Sequence, residues 1–188
     1  MSALLPLLAL LVLLITFTFL VNKKSGLVAV RSSIDGRYYL VRPQRGAEAA
    51  DVMAGVRKAL NDLINGMSSN NEYKDILQKK IQGLLLTENP ATTPDPTMTS
   101  YTVNKGERIV MCIRSPDTGE FYDMNTIMYV AIHELAHVAC PEFGHTKLFA
   151  KIFAMLLKNA TRLGIYSDQN YLVSPMPYCG ITIRERVI

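Results

Sequence analysis

The chain has only three histidines, and all of them fall between positions 133 and 145. His133 and His137 belong to the run Ala131-Ile132-His133-Glu134-Leu135-Ala136-His137-Val138-Ala139-Cys140, and His145 follows Pro141-Glu142-Phe143-Gly144. The spacing His-Glu-x-x-His sets two imidazoles one helical turn apart on one face, where both can bind a single tetrahedral zinc ion. Glu134 is the next residue round such a helix, beside the metal but not on it, where a carboxylate can act as base on a zinc-activated water. A mononuclear site needs a third protein ligand, and His145, just past the break made by Pro141 and Gly144, is within reach. Accidental copies of the motif exist, and a lone histidine on an apolar face is usually a core residue. Here an apolar helical frame, a turn directly behind it and a third histidine coincide. The expected cofactor is therefore Zn2+, with His133, His137 and His145 as metal ligands and Glu134 as the catalytic base.

Positioning these residues falls to the elements around them. Thr126 to Ala139 reads as the motif helix, capped by Asp123 or Asn125. After His145, Leu148, Phe149, Ile152, Phe153, Met155, Leu156 and Leu163 form one apolar helical face, with Lys147, Lys151, Lys158 and Arg162 projecting away and Gly164 as the stop. This second helix is expected to pack beneath the first and hold His145 in place. Upstream, Val28 to Arg42 reads as a hairpin turning at Asp35-Gly36. An amphipathic helix from about Ala47 to Asn65 carries Val52, Met53, Val56, Leu60, Leu63 and Ile64. Ser69-Asn70-Asn71-Glu72 has capping-box spacing and predicts a further helix bearing Ile76, Leu77, Ile81, Leu84 and Leu85. Thr87 to Thr99, rich in Pro and Thr, predicts a loop. Arg108 to Arg114 reads as a buried strand, with Tyr101 to Val103 as its hairpin partner across Asn104-Lys105-Gly106. The tail from Ile165 onward has no helical period. Its Tyr166, Tyr171 and Tyr178 could donate to a reacting oxyanion, although packing is the commoner use of such residues.

A length of 188 residues suits one membrane segment and one domain. The formal net charge of +4 is mild, and no basic cluster alternates with aromatics, so nucleic-acid binding gains no direct support. Ala3 to Val21 carries no charge and as a helix would span about 28 Å, close to the hydrocarbon thickness of a bilayer. It lacks the basic leader and small-residue cleavage site of a signal peptide, and Lys23-Lys24 follow it. The expectation is a single-pass membrane protein, with a transmembrane anchor and basic flank over residues 1–24 and a cytosolic domain over 25–188. Cys112, Cys140 and Cys179 form an odd, sparse set that does not read as a disulfide framework and suits a reducing compartment. Cys140 reads as an auxiliary ligand, as a redox-sensitive thiol or, more ordinarily, as a small apolar residue closing the helix.

His-Glu-Leu-Ala-His, a short loop, Gly144-His145 and a helix with Phe149 and Phe153 four apart resemble the WLM and SprT-like zinc metallopeptidases. Within that group the chain looks like short, N-terminally anchored homologues encoded by large DNA viruses. Ile34-Asp35-Gly36-Arg37, Tyr101 to Glu107, Cys112-Ile113-Arg114-Ser115 and Tyr178-Cys179-Gly180-Ile181 carry the likeness further along the chain. The resemblance implies an α+β fold, a minimal zincin-like metallopeptidase domain with a small antiparallel or mixed sheet plus helices. It also implies three histidine ligands and a glutamate base, which map onto His133, His137, His145 and Glu134. Relatives with known biology include proteases that digest proteins crosslinked to DNA.

Three readings follow. The first is a membrane-anchored zinc peptidase whose partners are a protein or peptide substrate and, through residues 3–21, a membrane. In it a substrate strand adds to the sheet edge formed by the Arg108 to Arg114 hairpin. The second is a membrane-tethered structural or interaction protein with a non-catalytic zinc site, against which Glu134 argues because a structural site has no use for that carboxylate. The third is a protease acting on DNA-linked proteins. Substrate identity and oligomeric state are not encoded in these patterns.

Overall fold

The computed structural model describes residues 26–90 and 99–188. Strands β1 (Val28–Arg31) and β2 (Tyr38–Val41) form the expected antiparallel hairpin, in which Gly36 takes φ 70°. Helix α1 (Gly46–Gly66) follows, burying Met53, Val56, Leu60 and Leu63, the predicted stripe, against the sheet. Helix α2 (Lys74–Gly83) leads into β3 (Leu85–Glu88), and β4 (Tyr101–Val103) turns back as β5 (Arg108–Met111). Next come α3 (Met124–Ala139), α4 (Lys147–Arg162) and a small hairpin of β6 (Met176–Tyr178) and β7 (Ile181–Ile183). The main sheet has the order β1-β2-β3-β5-β4, with β2, β3 and β5 parallel and the two outer pairs antiparallel. The class is α+β with a mixed sheet.

One core joins the sheet to the helices. Helix α3 lies at its centre, packed by α1, α2, α4 and β4, and this enclosure explains why its apolar residues run all round the helix. Helix α4 is amphipathic and turns Phe149, Ile152, Phe153, Leu156 and Leu157 inward.

Several expectations need correction. Helix α2 begins at Lys74 rather than at Ser69, with no side-chain cap. The Asn71 side chain instead accepts from the Tyr73 amide at 3.0 Å, a local turn that competes with helix initiation. Leu85 is not helical. It opens β3, the middle strand, which takes Thr87 and Glu88 out of the predicted loop. A short apolar run after a glycine fits either a helix end or a buried parallel strand, and only pairing to β2 and β5 decides it. Glu88 is fully buried, and Arg114 grips both its carboxylate oxygens at 2.6 and 2.7 Å. That ion pair ties β3 to the segment that leads from β5 into α3.

The cysteines are also corrected. Cys112 and Cys179 form a disulfide, with Cα atoms 6.5 Å apart, and only Cys140 is free. A separation of 67 residues hid the pairing, which exists because the β6–β7 turn folds back onto the end of β5.

The expected membrane span at 3–21 lies outside the described residues. Among the described residues no helix is long and apolar enough to cross a membrane. Helix α1, with 21 residues, carries Glu48, Asp51, Arg57, Lys58 and Asp62, and the more apolar α3 has 16 residues and is enclosed by protein. The reading of a single-pass membrane protein with a cytosolic domain is corrected on that finding.

Candidate metal centre

Helix α3 starts where Asp123 accepts from the Thr126 amide at 3.0 Å and from its hydroxyl at 2.6 Å. Along its buried length His133 and His137 are the half-exposed exceptions, one turn apart as the motif requires. The helix ends at Cys140, Pro141 prevents its continuation, and Gly144 at φ 75° reverses the chain. Thr146 then caps α4, accepting from the Phe149 amide at 3.3 Å. His145 sits immediately before that cap rather than inside the helix.

These elements bring three ring nitrogens together. Nε2 of His145 lies 3.0 Å from Nε2 of His133 and 3.2 Å from Nε2 of His137. A neutral imidazole has one N–H and cannot satisfy both neighbours, so three ring nitrogens this close suit lone pairs turned toward a shared cation. Zinc–nitrogen bonds of about 2.0–2.1 Å put tetrahedral ligands about 3.3–3.4 Å apart, close to the spacing found. Burial, then the neighbouring rings, push His133 down to about 3 and His137 down to about 4, which keeps both rings neutral and their lone pairs available. Phe149 backs the cluster, stacked on His137 at 4.2 Å and edge-on to His133 and His145 at 4.9 Å. Among the described residues the potential ligands that converge are these three histidines; Cys140 and Glu142 are not with them.

Glu134 is buried beside the cluster. Thr102 of β4 donates to its carboxylate at 2.8 Å and lies 3.0 Å from its backbone carbonyl. Burial pushes the carboxyl up to about 7, and the Thr102 hydroxyl pulls the other way. A carboxylate tuned in this way can exchange a proton near neutral pH.

Two clefts meet here, and His133, Glu134 and His145 line both. The first, of about 420 Å³, runs along β4 past Ser100, Thr102, Asn104 and Lys105. The second, of about 460 Å³, is walled by Tyr129 and Val130 of α3 and by Ile181 to Glu185. The sheet edge beside the first cleft is β4, the outer strand of the expected hairpin, while β5 lies inside the sheet.

The profile of the WLM domain matches residues 88–172. Over 191 aligned residues the chain is 40% identical to an uncharacterized protein of Acanthamoeba polyphaga mimivirus, covering 96% of this chain and 95% of that one. The chain belongs to the WLM family. An uncharacterized protein of Invertebrate iridescent virus 6 is 42% identical over 82 residues, 43% of this chain and 44% of the viral one. The crystal structure of Wss1 from Saccharomyces cerevisiae superposes with a TM-score of 0.48 at 18% identity, over 66% of this chain and 85% of that one. The span matched to the WLM domain runs from β3 through both histidine-bearing segments and stops before β6.

Of the residues singled out in the WLM chain, the histidines and Glu134 come together, whereas Tyr166 and Tyr171 line neither cleft and Tyr178, which lines the second, has its hydroxyl proton engaged. Tyr178 donates to the Cys112 carbonyl at 2.6 Å and contacts the Ser100 hydroxyl at 2.8 Å. Tyr166 accepts from the Gln169 amide, and Tyr171 packs edge-on against Tyr129. Sequence reasoning missed Thr102, Lys105 and Tyr129. The one available signal was the threonine at the centre of the three-residue strand, whose register opposite Ile109 turns it inward.

Proposed function

We propose that the chain is a zinc-dependent peptidase of the HExxH type on a zincin-like fold, hydrolysing protein or peptide substrates. The observation that carries this reading is the convergence of three histidine nitrogens beside a buried carboxylate at the junction of two clefts. Membership of the WLM family supports it. His133, His137 and His145 would hold the ion, which when bound supplies a Lewis acid that polarises a peptide carbonyl and acidifies water. Glu134 takes the proton from a water in the cleft and returns it to the leaving amine. Thr102 fixes the carboxylate that does so. The free edge of β4 offers backbone groups to an extended substrate, which would lie across the cluster from one cleft into the other. The same convergence argues against a purely structural metal, because a closed site needs a fourth protein ligand and Cys140 is turned elsewhere.

Glu134→Gln tests the reading. It keeps size and packing but removes the base, so zinc content should be retained while hydrolysis of an unfolded protein substrate falls by about 100- to 10,000-fold. Equal activity in both proteins would refute the peptidase; loss of folding would make Glu134 a structural residue.

A further inference from the structure

The turn that joins β4 to β5 reaches across the first cleft to the loop that carries His145. Lys105, in that turn, donates from Nζ to the Cys140 carbonyl at 2.8 Å and to the Glu142 carbonyl. Its ammonium also lies 4.5 Å from the centroid of the Phe143 ring, which is 85% exposed. All three contacts fall on the segment between the end of α3 and His145. The Cys140 carbonyl is at a helix C-terminus, where a cation is favoured and the last carbonyls lack helical partners.

The backbone that delivers Lys105 is unusual. Asn104 at φ 48° and Lys105 at φ 52° are both left-handed, a conformation that hairpin turns usually fill with glycine, asparagine or aspartate. Asparagine fits that preference and lysine does not, so a turn needing only to reverse the chain would gain from glycine at 105. The turn is also seated tightly. A Cβ on Gly106 would come within 2.8 Å of Val138 on α3. The loop itself, from Pro141 to His145, is exposed. Among the described residues none hydrogen-bonds Nδ1 of His145, so its ring is placed by the backbone of its loop together with the edge-on packing of Phe149.

We propose that Lys105 is a positioning residue for the third metal ligand, holding residues 140–143 so that His145 meets His133 and His137. The inference rests on the metal-centre reading above. Lys105 touches no ligand and spans from the substrate-edge hairpin to the metal loop, so it couples the β4 edge to the third ligand.

The test compares the full chain as wild type, Lys105→Met, Lys105→Arg and His145→Ala. Zinc affinity is measured by chelator competition, and the visible spectrum of the Co2+-substituted proteins is recorded. Lys105→Met should weaken zinc binding about 10- to 100-fold, as loss of a supporting contact to a metal ligand typically does. It should shift the Co2+ bands and move the metal-free thermal midpoint by no more than about 4 °C. Lys105→Arg, which can still donate to two carbonyls, should keep affinity and spectrum near wild type. The proposal is overturned if Lys105→Met binds zinc as wild type does with an unchanged Co2+ spectrum. It is equally overturned if that variant lowers the metal-free midpoint well beyond 4 °C without rescue by arginine, since Lys105 would then be a general prop. If wild type binds no zinc, or His145→Ala binds it normally, the metal centre itself is wrong and the proposal falls with it; the His145→Ala arm separates that failure from failure of the Lys105 role alone.

Discussion

The two clefts that meet at the histidine cluster are built by different means. The β4 side is held by hydrogen bonds into the motif helix and its loop, through Thr102 to Glu134 and Lys105 to the carbonyls of 140 and 142. The β6–β7 side offers Val130, Ile181 and Ile183 over Tyr129, whose hydroxyl is engaged by Glu185 at 2.7 Å. It is held by the Cys112–Cys179 disulfide, the buried Tyr178 and a bond from the Cys179 amide to the Tyr122 hydroxyl. Hydrogen-bonded supports orient the groups that would react, which demands direction. A covalent staple and aromatic packing hold a wall, which demands shape. Damage to the first side should therefore appear in rate and metal binding, and damage to the second in stability and substrate affinity.

The largest expected effect breaks the second side alone. Cys112→Ser should lower the stability of the oxidised protein by about 2–4 kcal/mol, the usual range for opening a long disulfide-closed loop. Denaturant unfolding measures this, and zinc affinity should stay within error of wild type. A parallel loss of zinc would mean that the two sides are one unit.

On the first side, Thr102→Val removes the donor to Glu134 while keeping side-chain shape. The expected result is a fall in kcat of about 10- to 100-fold with KM and zinc content little changed. Steady-state kinetics with a peptide substrate separates the two parameters, and a change confined to KM would place Thr102 in substrate binding instead.

Gly106→Ala probes how closely the β4–β5 turn must approach α3. The new methyl meets Val138 at 2.8 Å and the residue sits at φ 108°, so stability should drop by about 1–3 kcal/mol. Thermal unfolding reads that loss. An unchanged midpoint would show that the turn can lift away from α3 without consequence.

The smallest effect should come from Ile181→Ala, which trims an exposed residue of the second cleft. It should raise KM by about tenfold, the low end of what one methylene is worth in an apolar pocket because Ile181 is already part-exposed, and leave kcat and unfolding untouched. A drop in kcat there would erase the division between the clefts.

Much of the chemistry was determined by the sequence itself, because it depends on neighbours along one helix. His133, Glu134 and His137 take their relative places from the rise and twist of any α-helix, and the Asp123 cap, the break at Pro141 and the turn at residues 104–106 are equally local. The position of His145 was legible for the same reason, since only a turn and a cap separate it from the motif. What holds those groups was decided by tertiary structure. Thr102 lies 32 residues from Glu134, Lys105 35 from Cys140, Glu88 26 from Arg114 and Cys112 67 from Cys179. Each pairing requires knowing that β5 runs between β3 and β4 and that the tail returns to the end of β5. Strand order is set by burying one shared core. No periodicity in a three- or four-residue strand encodes which neighbour it will find, so the three histidines and Glu134 could be read along the chain while their supports could not.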